Sequence, residues 1–156
     1  MFSEIIFNGK IGDLSIGENI LNPELKLEKI TEEEGDIPSL YSLNYKDEDF
    51  QLTVFKGKVI GILYDFEYEK NRMFNLELNN EKLKIGYTSN FKEFAKFVEL
   101  NKIEHKKIYS ENNDYAEIQI EKSRIYIRFV NANYSNLCKI WNFDNELYET
   151  LCNKAN

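Results

Sequence analysis

Hydrophobic residues recur along the chain at two spacings, and each spacing predicts one kind of secondary structure. The stretch "SNFKEFAKFVELNKI" has its apolar residues at i, i+3, i+4 and i+7, which is typical of an amphipathic helix. Asn90 with Glu93 three residues later forms a capping-box pattern at its start. Residues 145–153 have apolar positions near the same spacing. We therefore expect helices at both places.

Alternation of apolar and polar residues predicts that most of the remaining chain is β-strand. The predicted strands cover residues 3–7, 40–45, 50–55, 59–69, 72–78, 105–110, 115–121, 124–130 and 137–143. In the segment 59–69, alternation places Tyr64 and Tyr68 on one face of the strand. Asp65, Glu67 and Glu69 then lie on the opposite face.

Between these elements the sequence predicts turns, an acidic loop and a broken helix. Turn signals occur at Asn8-Gly9, "KDED", "KGK" and Asn79-Asn80. Residues 31–39, "TEEEGDIPS", are expected to form an acidic loop. Residues 18–30 are helix-like in parts, and Pro23 is expected to split them into two short pieces.

Two parts of the chain repeat the same order of elements. Residues 14–17 match 83–86 as Leu-x-Ile-Gly, and residues 49–64 match 114–129 in the spacing and facing of apolar positions. This predicts a single domain, residues 1–156, that contains an internal repeat with halves 1–78 and 79–156. The other interpretation is that an antiparallel α/β chain produces such similarities without duplication.

The predicted fold class is α+β, as a tandem repeat of a helical segment followed by an antiparallel β-sheet. Each sheet would bury one apolar face under its own helix, or the strands would join into one continuous curved sheet. Either arrangement leaves a second, broad sheet face for other contacts.

Charge changes this picture because the negative excess lies entirely in the first half. The chain has 156 residues and a formal net charge of −7. Residues 1–78 contain 16 Asp and Glu against 8 Lys and Arg, whereas residues 79–156 contain 11 against 12. Phosphate backbones repel such a surface, so we expect no nucleic-acid partner. A basic protein is the complementary partner.

The sequence carries no signal for export, membrane insertion or a disulfide framework. The start "MFSEIIFNGK" lacks the basic and apolar regions of a signal peptide, and no stretch approaches eighteen apolar residues. Cys138 and Cys152 are too few for a disulfide scaffold. We therefore expect a soluble, cytoplasmic protein that does not bind membranes.

Common catalytic, metal and cofactor patterns are absent from the sequence. The one histidine, His105, lies among charged residues, and there is no G-x-S-x-G, G-x-x-x-x-G-K or G-x-G-x-x-G motif. The two cysteines lack the further ligands of a zinc site, and "DEDF" lacks the spacing of a calcium loop. We predict no catalytic residue, no metal and no cofactor.

The segments "GKIGDLSIGENI", Asn22-Pro23 and "LNYKDEDFQLTVFKGKVIGI" support a resemblance to a known fold. The chain resembles the β-lactamase inhibitor protein fold, a tandem repeat of a helical segment and an antiparallel sheet. It is also similar to small bacterial immunity proteins, which neutralise toxins in competition between bacteria. The resemblance implies a non-catalytic inhibitor that grips another protein through its sheet or its loops.

We therefore predict a bacterial immunity-type protein that docks on a basic toxin, such as a nuclease, and covers its active site. The predicted partner-binding residues are Tyr45, Asp47, Glu48, Asp49, Asp65, Glu67, Tyr68 and Glu69. The tyrosines would act as aromatic anchors among the carboxylates. One alternative is a small enzyme that uses its carboxylates for catalysis, and another is a self-associating structural module. The sequence leaves monomer and homodimer open.

Overall fold

A computed structural model describes residues 1–20 and 25–153 of the chain. The α-helices in these ranges are α1 (Phe2–Asn8), α2 (Phe91–Leu100) and α3 (Asn145–Asn153), and Ala132–Tyr134 form a short 3-10 helix. The strands are β1 (Lys10–Ile11), β2 (Leu14–Ser15), β3 (Lys26–Thr31), β4 (Ser39–Tyr45), β5 (Glu48–Phe55), β6 (Lys58–Asp65), β7 (Met73–Leu78), β8 (Glu81–Gly86), β9 (His105–Tyr109), β10 (Tyr115–Ile120), β11 (Tyr126–Val130) and β12 (Asn136–Phe143).

Eight of these strands form one open sheet, which is mostly antiparallel. Their order is β3-β4-β5-β6-β12-β11-β10-β9. The remaining described strands form two separate hairpins, β1-β2 and β7-β8. The expectation of a mixed fold dominated by antiparallel strands is thus confirmed.

The chain divides into two compact units, each built from two separate stretches of sequence. The first unit contains residues 1–9 and 65–140, and the second contains residues 10–64 and the chain from 141 onward. These boundaries differ from the halves 1–78 and 79–156 expected from the repeat, and the repeat itself stays a prediction.

Each unit has its own buried core. In the first unit, Phe94 of α2 lies 5.9 Å from Phe129 of β11, measured between ring centroids. The hydrophobic strand side chains buried in that unit are Leu76, Ile85, Ala116, Ile118, Ile120, Ile127, Phe129, Leu137 and Ile140. In the second unit, Phe55, Ile60 and Leu151 form a buried cluster against which Leu147 and Tyr148 of α3 pack.

The helix expected near residue 90 is confirmed, together with its cap. The side chain of Asn90 accepts a hydrogen bond from the backbone N–H of Glu93 at 2.9 Å. Phe91, Phe94, Ala95 and Val98 are all buried, as the spacing of apolar residues predicts. The tail helix and the strands predicted between residues 40 and 55, and from residue 72 onward, are also present.

The strand predicted at residues 3–7 is wrong, because this segment is the helix α1. Phe2, Ile5 and Ile6 also have the i, i+3, i+4 spacing of a helix face, and all three are buried. Gly9, expected in a tight turn, instead caps the helix in a left-handed conformation with φ 68°. Its N–H donates a hydrogen bond to the carbonyl of Ile5 at 2.9 Å.

The helical interpretation of residues 18–30 is wrong wherever the structure describes them. Asn19 forms an isolated antiparallel bridge with Lys58, and the N–H of Ile20 donates to the carbonyl of Gly57. Residues 26–31 are the strand β3, which pairs with β4. The expected break at Asn22-Pro23 lies outside the described residues.

The strand predicted to end at Glu69 ends at Asp65. The N–H of Phe66 still donates to the carbonyl of Cys138 at 2.9 Å, but the side chain of Asp65 accepts the N–H of Glu67 at 2.8 Å. This local hydrogen bond turns the chain away from the sheet. The alternation of faces predicted for residues 66–69 therefore does not occur.

Candidate functional site

Four of the predicted partner-binding residues lie at the turn between β4 and β5, in the second unit. Lys46 and Asp47 form a two-residue loop in which both residues are left-handed, with φ 51° and 64°. Asp47 is exposed at this tip, and Tyr45 is half-buried beside it. The ammonium group of Lys46 lies 5.5 Å from the centroid of the Tyr45 ring.

The two acidic residues after this tip have different environments. Glu48 is only 4% exposed, and its carboxylate accepts a hydrogen bond of 2.6 Å from the hydroxyl of Tyr64. Asp49 is exposed, and its carboxylate accepts a hydrogen bond of 2.9 Å from the side-chain amide of Asn44. Asp47 and Asp49 are therefore available to a partner, whereas Glu48 takes part in the internal structure of its unit.

The other four predicted residues lie at the end of β6 and in the loop that joins it to β7, in the first unit. Residues 65–72, which comprise the last residue of β6 and this loop, are called the Tyr68 loop below. Tyr68 is 87% exposed, and it lies between the exposed residues Glu67 and Glu69. The carboxylate of Glu69 forms an ion pair of 2.9 Å with Arg72, and the carbonyl of Glu69 accepts the N–H of Arg72.

Aromatic packing fixes both ends of the Tyr68 loop. Phe66 is buried, and its ring lies 5.7 Å from that of Phe2 and 6.2 Å from that of Phe74. The rings of Phe2 and Phe74 are 4.3 Å apart, and the guanidinium of Arg72 lies 5.6 Å from the Phe74 ring. The exposed tip of the loop therefore lies between segments that are held by aromatic packing.

An ion pair between a buried glutamate and a half-buried arginine in the first unit was missed by sequence reasoning. Glu117 of β10 lies directly opposite Arg128 of β11, and its carboxylate accepts a hydrogen bond of 3.0 Å from the Arg128 Nε. Glu117 is 4% exposed. The guanidinium also stacks 3.9 Å from the centroid of the Tyr115 ring. The signal was present, since pairing the predicted strands in a hairpin brings these opposite charges together.

Cys138 and His105 are the two side chains whose environments bear on nucleophilic or acid–base chemistry in the first unit. Burial, together with the carboxylate of Glu67, raises the pKa of the Cys138 thiol to about 11, so this group stays protonated near neutral pH. One ring nitrogen of His105 lies 2.7 Å from the carbonyl of Ile103. Within residues 1–20 and 25–153 no three His, Cys, Asp or Glu side chains come together in a group suited to holding a metal.

No family model, no curated protein and no solved structure matches this chain. Among the helices that the structure describes, none has the length and apolar character needed to cross a lipid bilayer.

Proposed function

We propose that the chain is a non-catalytic, cytoplasmic inhibitor of the bacterial immunity type, which docks on a basic toxin and covers its active site. The observation that carries this proposal is the Tyr68 loop, because it presents a large exposed aromatic side chain on a fixed base. The proposal involves no metal or cofactor, and the partner is a protein rather than a nucleic acid.

Tyr68 has the properties of an interface anchor. Tyrosine is enriched among the few residues that carry most of the binding energy at protein interfaces. At 87% exposure its ring has most of its surface still to bury on binding. The packed base formed by Phe2, Phe66 and Phe74 holds the loop before binding, so docking orders few additional groups.

The charges around Tyr68 indicate the sign of the partner. Glu67 and Glu69 flank the ring and Asp65 precedes them, while Lys70 follows and Arg72 pairs with Glu69, so residues 65–72 have a net charge of −1. The chain as a whole has a formal net charge of −7. Complementary charge accelerates encounter and excludes partners of the wrong sign more than it adds affinity. A cationic toxin, such as a nuclease with a basic active site, fits this charge.

We also propose that the fold arose by duplication, with halves 1–78 and 79–156. The order of strands supports this, because β3 to β6 and β9 to β12 are each four successive strands of the large sheet. The hairpin β5-β6 and the hairpin β10-β11 coincide with the segments 49–64 and 114–129 that match in sequence. A duplicated unit of this kind is what the resemblance to the β-lactamase inhibitor protein fold implies.

The test first asks whether a toxin domain is encoded beside the gene for this chain, and then uses that domain and this chain as purified proteins. Wild-type protein is expected to inhibit the toxin stoichiometrically. Tyr68→Ala should weaken binding by about 30-fold, the equivalent of a 2 kcal/mol anchor. Tyr109→Ala is the matched control, since Tyr109 is also exposed but lies on β9, and it should leave affinity unchanged.

A second pair of variants tests the charge. Glu67→Gln with Glu69→Gln should slow association and flatten its dependence on salt, while dissociation changes little. Equal inhibition by wild type, Tyr68→Ala and the double variant would overturn the proposed site. A lack of any toxin gene beside this one, or turnover of a small molecule by the purified chain, would count against the function.

A further inference from the structure

Two loops at the same end of strands β10 and β11, in the first unit, enclose an open cleft. One loop supplies residues 113–114, just before β10, and the other supplies residues 130–134, at and after the end of β11. The two loops meet because Tyr115 pairs with Val130, so the residues beyond this pair are neighbours. The cleft, called the asparagine cleft below, has a volume of about 510 Å³, within the range of about 300–1,000 Å³ for small-molecule sites.

The second of these loops has a backbone conformation that residues other than glycine rarely adopt. Asn131 has φ 68° and ψ 179°, a region that is almost exclusive to glycine. Asn133 and Tyr134 are left-handed, with φ 57° and 51°. Asparagine is often found in the left-handed region, but a bulky residue such as tyrosine is unusual there. Backbone of this kind costs free energy and occurs most often at ligand clamps and active sites.

Hydrogen bonds and aromatic packing hold this loop in its shape. The side-chain amide of Asn131 donates to the side-chain oxygen of Asn136 at 2.9 Å. The carbonyl of Asn131 accepts the N–H of Tyr134 at 2.9 Å. The ring of Tyr134 lies 6.0 Å from that of Phe91, which is buried at the start of α2. The cleft is therefore formed before any ligand binds, so binding orders few additional groups.

Three polar side chains of the asparagine cleft are available to a ligand. Asn113, Asp114 and Asn133 are exposed. Within residues 1–20 and 25–153, none of these three side chains takes part in a hydrogen bond or an ion pair. Each amide offers two donors and an acceptor, and the carboxylate offers further acceptors. The half-buried ring of Tyr134 lines the cleft beside them and adds an apolar surface.

These groups indicate the chemical class of the ligand. Residues 113–114 and 130–134 contain no Lys or Arg, so no cationic side chain of the lining would neutralise a phosphate or carboxylate. The one carboxylate of the lining, Asp114, is fewer than calcium sites generally use. Hydroxyl groups donate and accept hydrogen bonds, as amides do, so a ligand with several hydroxyls matches the cleft. A sugar ring also has an apolar face that can pack on Tyr134.

We infer that the asparagine cleft binds a neutral saccharide through one pyranose ring. The amides of Asn113 and Asn133 and the carboxylate of Asp114 exchange hydrogen bonds with its hydroxyls, and Tyr134 packs against its apolar face. A nucleobase would also stack on a tyrosine, but it would pair through one edge, whereas a sugar carries hydroxyls around its whole rim. This inference does not depend on the proposed function, and its test needs no toxin.

The test titrates the isotope-labelled full chain with the methyl glycosides of glucose, galactose, mannose and N-acetylglucosamine and follows the side-chain amide signals by NMR. At least one glycoside should shift the signals of Asn113 and Asn133, with a Kd on the order of 1 mM for a ligand of this size. Adenosine and arginine at the same concentrations should leave them unshifted. No response to any glycoside at about 20 mM, or tighter binding of adenosine or arginine, would overturn the inference.

Glycine variants test which residues bind the sugar. Asn113 and Asn133 have φ 58° and 57°, which glycine adopts freely, so Asn113→Gly and Asn133→Gly remove an amide group and keep the backbone conformation. Each should weaken glycoside binding by about tenfold and leave the NMR signals of the core unchanged. Asn80→Gly is the matched control, because Asn80 has φ 66° in the β7-β8 turn of the same unit, and it should bind like the wild type. Binding of wild-type strength by Asn113→Gly and Asn133→Gly would contradict the assignment.

Discussion

At the scale of single residues, acidic side chains that are neighbours in sequence have different roles. Glu48 is buried and bonded to Tyr64, whereas Asp47 and Asp49 on either side of it face solvent. Glu117 is buried against Arg128. Only the exposed carboxylates can contribute to docking without first breaking an internal hydrogen bond, whose loss would cost about 1–3 kcal/mol in a buried site.

Cys138 gives a residue-scale prediction through its raised pKa. With the Cys152→Ser variant, iodoacetamide should modify Cys138 at pH 8 at least about tenfold more slowly than a free cysteine, because little thiolate is present. The rate should rise with each pH unit until about pH 11. Glu67→Gln removes a negative charge beside the thiol, which lowers its pKa and speeds the reaction.

The control for this reaction is the same variant unfolded in urea, where the thiol should react at the rate of a free cysteine. A folded Cys138 that reacts at that rate already at pH 8 would contradict its placement beside Glu67.

The sequence alone did not predict which side chains near the end of β6 are exposed. Tyr68 was expected on an apolar strand face with Tyr64, yet it is the more exposed of the two, because the chain turns at Asp65. In that turn the Asp65 carboxylate accepts a hydrogen bond from the backbone N–H of Glu67. Such a local bond competes with strand pairing, and the alternation of residue types does not reveal it.

At the scale of elements, one of the short hairpin turns has residues that are unfavourable for its backbone conformation. Two-residue loops with both residues at positive φ favour Asn-Gly or Asp-Gly. The β5-β6 turn has Lys56-Gly57 and the β7-β8 turn has Asn79-Asn80, but the β4-β5 turn has Lys46-Asp47. A lysine in the left-handed region is strained, since its Cβ lies close to the following carbonyl.

Replacing this turn should therefore stabilise the protein. Lys46→Asn with Asp47→Gly is expected to raise the free energy of unfolding by about 1 kcal/mol, and Tm by about 2–4 °C. Thermal and urea unfolding measure both quantities.

Gly57→Ala provides the opposite control. Gly57 has φ 77°, and no atom lies within 4 Å of the position its Cβ would take, so any cost comes from the backbone alone. The variant should lose about 1 kcal/mol. If the wild type, the Lys46→Asn/Asp47→Gly variant and Gly57→Ala were equally stable, the left-handed conformations of these two hairpin turns would be contradicted.

Element type was predictable where the apolar pattern was long and ambiguous where it was short. Ten residues with one buried stripe and a cap identified α2. The apolar residues near residues 3–7 fit the spacing of a strand and also that of a helix. The structure has a helix there, with Phe2, Ile5 and Ile6 buried on one face. Residues 26–31 contain good helix formers, but pairing with β4 overrides that weak preference.

At the scale of the whole molecule, the two compact units interleave along the sequence. The first unit takes the first nine residues together with 65–140, so its core needs both stretches. Sequence comparison within the chain suggested halves of nearly equal length, but a repeat in sequence order and a compact unit in space need not share boundaries. Contacts between residues far apart in sequence leave no periodic signal.

This interleaving predicts that neither half folds alone. Fragments 1–78 and 79–156 should each lack a cooperative urea transition by circular dichroism, because the first loses most of its core partners and the second loses α1.

In the full chain, Ile5→Ala should lower the free energy of unfolding by about 3 kcal/mol or more, because removing a large buried side chain leaves a cavity. Glu4→Ala, on the exposed side of α1, should change stability by less than about 0.5 kcal/mol. A fragment that unfolds cooperatively would support self-contained halves instead.

The placement of α1 also constrains how the protein is made. Phe2, Ile5 and Ile6 leave the ribosome before the rest of their unit, whose strands extend to residue 140. At translation rates of about 5–20 residues per second, this apolar segment waits for roughly 7–26 seconds before its partners have been synthesised. During that interval it is a natural site for a chaperone to bind the nascent chain.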